Sequence, residues 1–149
     1  MTEDTIFRIY SMSKSVTTAA ALMLVEDGKL DLKAPVYNYL PALKDVQVAN
    51  GSEKVAPKRL MTVEDLIRHT AGFTYGLFGE TDVDKAYQKA GVLAGNLEDM
   101  ETSLGDLPLL YHPGERWVYS VATDVLGCLI EKTSGKSFGN FLENAFSSL

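Results

Sequence analysis

An all-helical fold is predicted, and three stretches of the chain predict it. The alanine-rich run from Met12 to Asp27 ends at Gly28, the residue type that most readily takes the left-handed cap of a helix. Thr62-Val63-Glu64-Asp65 has the form of a capping box, in which the side chains of a first turn satisfy its free N–H groups. Ser120 to Thr133 sets Val121, Val125, Leu126, Leu129 and Ile130 on one helical face and stops at Gly135.

The remaining elements follow in order. Thr5 to Tyr10 reads as a short extended segment leading into the Met12–Asp27 helix. That helix is apolar nearly all round, which predicts burial on several sides. Pro35 and Pro41 bracket a turn and a short helix over Val36 to Leu40. Lys44 to Arg59, polar and containing Gly51 and Pro57, reads as a surface loop with at most a brief strand. The helix capped at Thr62 continues through Leu66, Ile67 and His69 and stops near Ala71-Gly72. Phe73 to Gly79 is a glycine-rich aromatic turn, and Asp82–Ala90 and Asn96–Leu104 are two further short helices, the second capped by Asn96. A loop from Pro108 to Tyr119 precedes the Ser120 helix, and a last helix runs from Ser137 to the end of the chain. About seven helices and hardly any strand result.

The 149 residues, 46% of them hydrophobic, suffice for one domain with a core, so a single unit over residues 1–149 is expected. The net charge of −6 and pI near 4.9 repel phosphate backbones and anionic membranes, so neither nucleic acid nor membrane is an expected partner. Cys128 is the only cysteine, which excludes an internal disulfide, and two separated histidines offer no metal-ligand spacing. No metal or other cofactor is therefore expected. Met1 to Asp4 has neither a basic nor an apolar leader character, and no apolar run approaches 18 residues, so the chain as given reads as cytoplasmic.

The chemistry begins at Ser11 and Lys14. At i and i+3 on a first helical turn the two side chains point the same way, within reach of a hydrogen bond, as a nucleophile beside its base. The positive end of the helix disfavours a protonated lysine and favours an alkoxide.

Four segments in order resemble the serine β-lactamase and penicillin-binding-protein superfamily, especially its class C branch and the family VIII carboxylesterases. They are Phe7-Arg8-Ile9-Tyr10-Ser11-Met12-Ser13-Lys14, Leu66-Ile67-Arg68-His69-Thr70-Ala71-Gly72, Pro113-Gly114-Glu115-Arg116-Trp117-Val118-Tyr119-Ser120 and Asp124-Val125-Leu126-Gly127. Ser-x-x-Lys alone is common by chance, whereas four segments at family spacing are specific. The resemblance implies the helical lobe of that fold. It makes Ser11 the acylated nucleophile, Lys14 its partner base and Tyr119 the tyrosine of the second motif, with Lys14 and Tyr119 both open as the group that takes the serine proton. A small-molecule ester is the implied substrate.

Two departures shape the expectation. Val121 stands where β-lactamases and peptidases of the superfamily place an asparagine that binds the substrate amide, which demotes β-lactams and promotes plain esters. The family's third motif, Lys-Thr-Gly or a variant on a later sheet strand, is not found. Lys132-Thr133-Ser134-Gly135 is a decoy with the wrong order at a helix end. The chain thus reads as a lobe without its flanking sheet. The alternatives are a β-lactamase or D-alanyl peptidase, or an inactive lobe that self-associates, as a homodimer or larger, to cover the apolar helix.

Each residue also has an ordinary role to weigh. Ser11 could be a helix cap, Lys14 a solvated lysine, and Tyr119 a core aromatic. Trp117, Phe73, Tyr75 and Phe78 could line an acyl pocket or belong to the core. His69 reads as a structural hydrogen-bonding residue, Asp124 as a first-turn carboxylate, and Cys128 as an inert buried thiol.

Overall fold

Helix α1 (Ser13–Glu26) starts directly after a 3₁₀ turn at Tyr10–Met12 in a computed structural model that describes residues 1–2 and 4–147 of the chain. It is followed by 3₁₀ turns at Val36–Asn38 and Pro41–Leu43 and by an antiparallel hairpin, β1 (Val48–Asn50) with β2 (Glu53–Val55), in which Val48 pairs with Val55. Helices α2 (Val63–Ile67), α3 (Asp82–Ala90), α4 (Leu97–Asp106), α5 (Ala122–Ser134) and α6 (Phe138–Phe146) complete the architecture. The mainly helical prediction holds. Between Pro35 and Pro41 only Val36–Asn38 form a 3₁₀ turn, because the two prolines leave no room for an α-helix. The predicted run of the last helix through Ser148 and Leu149 lies outside the described residues.

The central helix is α5, not α1. Thr17, Ala20, Ala21 and Leu24 bury one face of α1, while Leu22 and Met23 lie exposed on its outer side. Its small alanines let α5 approach closely, and α5 also packs against α2, α4 and α6, so Ala122 to Ile130 are buried almost continuously, with only Asp124 partly exposed. Cys128 is buried there and donates to the Leu97 carbonyl at 3.2 Å, and burial pushes its thiol up to about 12, as an inert thiol should behave. Gly135 ends α5 in the left-handed region, so Lys132 to Gly135 are a helix terminus as expected.

Helix α2 is short because its carboxylate is spent on its surroundings. Asp65 is buried and accepts from Arg59 Nη1 at 2.6 Å, Arg59 Nη2 at 2.8 Å, Thr70 Oγ1 at 2.8 Å, and the Thr62 N–H and hydroxyl at 2.9 Å each. The capping box predicted at Thr62 is present, but its carboxylate also fixes the exit of the helix through Thr70. The chain therefore leaves α2 at Arg68, and His69 turns left-handed at φ 55° instead of continuing the helix.

Residues 109–118 are laid along this exit. On the hairpin side Ala49 N–H donates to Leu109 O at 2.9 Å and Leu109 N–H to Gln47 O at 2.8 Å; on the other, Leu110 N–H donates to Gly72 O at 2.7 Å, Gly114 N–H to Thr70 O at 2.8 Å, and Val118 N–H to His69 O at 2.9 Å. Two glycines are needed for that approach. A Cβ on Gly72 would lie 2.2 Å from the Tyr111 carbonyl, and one on Gly114 2.0 Å from the Arg59 guanidinium.

Burial alone would raise the Asp65 pKa, but the hydrogen bonds from Arg59, Thr62 and Thr70 overturn it and hold the group at about 2, below its ordinary 3.8. A depressed carboxylate stabilises the fold above its unfolded pKa and loses that contribution as pH falls through the folded one. Asp65→Asn should therefore cost on the order of 2 kcal/mol at neutral pH. The gap from the unchanged chain, measured by urea unfolding, should shrink between about pH 4 and pH 2.

Candidate active site

The Ser11 turn comes first. Tyr10 takes φ 46°, a left-handed conformation that a bulky residue adopts only under local constraint, and Ser11 follows it within the 3₁₀ turn. Ser11 therefore stands just ahead of the α-helix rather than inside its first turn, with Lys14 on the first α-helical turn behind it. Lys14 and Ser11 face the same space, in which Ser11 Oγ and Tyr119 Oη share a hydrogen bond of 2.6 Å across 108 residues of sequence. The Lys14 ammonium lies 5.0 Å from the Tyr119 ring centre and 5.5 Å from that of Tyr75.

The electrostatics reverse one sequence expectation. Burial pulls the Lys14 pKa down, but hydrogen bonds and charge from Tyr75 and Tyr119 outweigh it and leave the group above its ordinary 10.5. Its partner moves the other way: the hydrogen bond with Ser11, then Lys14, lowers the Tyr119 phenol below 10.0. The two aromatic hydroxyls thus favour the lysine cation over the neutral amine. The arrangement is an ammonium beside a phenol inclined to ionise, with a serine hydroxyl on that phenol.

Tyr119 is held by His69, its neighbour across the α2 exit. His69 Nδ1 accepts the Ser120 N–H at 3.3 Å, which requires the Nε2–H tautomer, and Nε2 lies 3.4 Å from Thr123 Oγ1. Its ring packs 5.3 Å from Tyr119 and edge-on to Trp117 at 6.1 Å, so one residue grips the chain on both sides of the tyrosine. Burial, then the nearby Lys14 cation, lowers the His69 pKa below 6.5 and keeps the ring neutral, as an acceptor must be. The sequence reading of His69 as a structural hydrogen-bonding residue agrees with this placement.

Other predicted residues separate into two groups. Tyr75 sits between Lys14 and Asp124, its hydroxyl donating to Asp124 Oδ2 at 3.1 Å and its ring 5.4 Å from that of Tyr119. Burial raises the Tyr75 phenol, so it remains a donor. Asp124 thereby orients Tyr75, a contact that its position in the first turn of α5 did not disclose. Trp117 is 66% exposed and flanks Tyr119 at the mouth of the site. Phe73 and Val121, both expected at a substrate, are 0% exposed. Phe73 follows the Gly72 close approach into the core, and Val121 is turned inward as the N-cap of α5, so neither side chain offers surface to a ligand. The Arg59–Asp65 pair lying across Gly114 was not foreseen; no local pattern in the sequence marks Arg59.

The Beta-lactamase family profile matches residues 1–148. Protein Rv1367c of Mycobacterium tuberculosis (strain ATCC 25618 / H37Rv) is 39% identical over 137 residues, covering 89% of this chain and 34% of that protein. Esterase EstB of Burkholderia gladioli is 36% identical over 142 residues, covering 91% of this chain and 34% of its own. Among solved structures, EstCE1, a hydrolase with promiscuous acyltransferase activity, superposes with a TM-score of 0.84 at 30% identity, over 99% of this chain and 38% of that one. The chain spans about a third of the length of the curated relatives it matches. Its helices are those of the helical lobe of the serine β-lactamase-like fold, and the chain belongs to the Beta-lactamase family.

Proposed function

We propose that this chain carries the nucleophile side of a serine acyl-transfer centre acting on carboxylic esters. The observation that carries the proposal is the 2.6 Å bond between Ser11 Oγ and Tyr119 Oη under the Lys14 ammonium. Lys14 remains cationic and stabilises the Tyr119 phenolate, which takes the Ser11 proton as Oγ attacks the ester carbonyl. The tetrahedral intermediate collapses by breaking the bond to the alcohol oxygen, and Tyr119 returns the proton to that leaving group. Water, or an alcohol in its place, then gives its proton to Tyr119 and attacks the acyl carbonyl; the bond to Ser11 Oγ breaks as Tyr119 passes that proton to it, which frees the acid or new ester and restores both groups. The esterase and the promiscuous acyltransferase among the similar proteins support both outcomes of that last step. The Ser11 N–H supplies one oxyanion donor. The third-motif strand implied by the family resemblance supplies the second, so this chain alone should acylate roughly 10²–10³ times more slowly than a centre with both. The inward Val121 leaves no polar group at that position for an amide side chain, which favours an ester over a β-lactam or peptide.

A second reading, compatible with the first, is self-association. Ile6, Phe7, Ile9, Tyr10 and Met12 are exposed in one stretch of the chain that leads into α1. An apolar strip of this kind is covered in most stable proteins. We propose that a second copy covers it, as a homodimer or larger. Sedimentation at rising concentration should show a dimer that Phe7→Asp weakens; a monomer throughout would end this reading.

The chemistry is tested by intact mass after exposure to p-nitrophenyl butyrate and, separately, a fluorophosphonate. Ser11 should gain the adduct, and Ser11→Ala should not. No adduct on the folded chain, or an adduct kept by Ser11→Ala, would exclude the mechanism. The acylation rate should rise with pH to a midpoint below 10.0, as Tyr119 loses its proton while Lys14 keeps its own. Tyr119→Phe should flatten that rise and slow acylation roughly 10²-fold or more.

The clamp has its own signature. His69→Gly relieves the left-handed backbone but deletes the acceptor for Ser120 N–H and the ring packed on Tyr119, so it should slow acylation. His69→Asn, which tolerates the same φ and can return an acceptor, should restore part of the rate. Equal rates in the Gly variant and the unchanged chain would show that Tyr119 holds its place without the imidazole.

A further inference from the structure

Tyr75 has two sides. One faces Lys14 and Tyr119, and the other forms a wall of a recess between the 73–79 turn and the end of α3, about 260 Å³ in volume and lined by Tyr75, Leu77, Tyr87, Val92, Leu93 and Ala94. The walls are almost wholly apolar, and the surface continues past the recess at Phe78, which meets Tyr75 edge-on at 6.1 Å. Leu77, Phe78 and Leu93 are 62%, 77% and 47% exposed, so the apolar surface of the recess continues outward on the side of Tyr75 away from Lys14. The volume is below that of pockets which hold a whole drug-sized ligand, and it suits one arm of a small molecule.

We infer that this recess is the subsite for an unbranched aliphatic arm of the ester whose carbonyl lies at Ser11, and that α3 and the 91–94 turn set the preferred chain length. The inference rests on the acyl-transfer reading above and adds the substrate class to it. Tyr75 makes the link physical. Its hydroxyl is tied to Asp124, which fixes the ring, and the fixed ring is at once the partition beside Lys14 and the wall against which an arm would pack. Trp117, on the far side of Tyr119, is left to flank the other arm of the ester. Each methylene that enters the recess should tighten binding roughly three- to fourfold, and the gain should stop when the recess is full.

The test is a ¹⁵N–¹H NMR titration of the full chain with unreactive amides. N-methylhexanamide places its chain on the acyl side and N-hexylacetamide on the leaving-group side, with N-methylacetamide as the short reference. One of the two long amides should shift the signals of Tyr75, Leu77 and Gly91 to Ala94 and bind more tightly than the short one by the stated step per methylene. Which of them does so assigns the arm. Ala94→Trp fills the recess from an exposed position and should lose roughly tenfold or more of that gain. Leu93→Ala, which removes a wall instead, should lose it too, and core signals in either variant report that the fold is intact. Binding that ignores chain length, shifts centred away from the recess, or full affinity in both variants would overturn the inference. Because no turnover is needed, amide binding at the recess without acylation of Ser11 would sink the mechanism alone, and acylation without such binding would sink the subsite alone.

Discussion

The buried Asp65 carboxylate is the constraint from which the site is built. A charge at that depth is tolerated only when its oxygens are fully hydrogen-bonded, and here Arg59, Thr62 and Thr70 do so from three directions. The consequence is geometric. Thr62 and Thr70 are fixed at either end of a five-residue helix, which forces the chain to turn at His69, and Arg59 is drawn across the 113–114 turn, where only glycine leaves it room. The backbone of residues 69–72 then serves as the edge along which residues 110–118 bond. Tyr119 reaches Ser11 because a carboxylate some fifty residues earlier cannot be left without partners.

The second layer of organisation is electrostatic. Lys14 is surrounded by aromatic faces and hydroxyls rather than by carboxylates: Asp124 is separated from it by Tyr75, which takes the carboxylate's hydrogen bond. A carboxylate paired directly with Lys14 would neutralise the ammonium and remove its hold on the phenol. With a phenol interposed, the cation is kept, its field falls on Tyr119, and Tyr119 shifts toward ionisation while Tyr75 shifts away from it. Two tyrosines on one lysine thus acquire different characters, set by burial in one case and by the Ser11 hydrogen bond in the other. His69 joins the same balance, since the Lys14 cation helps keep it neutral and therefore able to accept the Ser120 N–H.

The chain states some of this openly. The caps at Thr62, Asn96 and Gly135 were legible because their chemistry is local, and the structure carries each of them. That Ser11, Lys14 and Tyr119 would come together was expected from motifs that stand in order, and the structure brings the three side chains into one space. Burial was less legible. Phe73, Val121, Tyr75 and Trp117 are all large apolar or aromatic residues near the motifs, and nothing in their spacing separates the two that enter the core from the two that pack against Tyr119. The same ambiguity exchanged the ranks of α1 and α5. Hydrophobicity all round a helix marks it for burial, but the alanines of α1 fit one close neighbour, whereas the larger residues of α5 fill contacts with four.

By itself the sequence determined the helical class and the caps at Thr62, Asn96 and Gly135, and it singled out Ser11, Lys14 and Tyr119 as candidates, because capping, periodicity and motif order act over a few residues at a time. Only the tertiary structure decided that Lys14 is held as a cation, that Asp124 works through Tyr75, that His69 grips the tyrosine turn, and that an apolar recess lies behind Tyr75. The physical reason is shared. Charge state, hydrogen-bond partnership and cavity shape depend on groups brought together from distant parts of the chain, and a local pattern does not encode the distance between them.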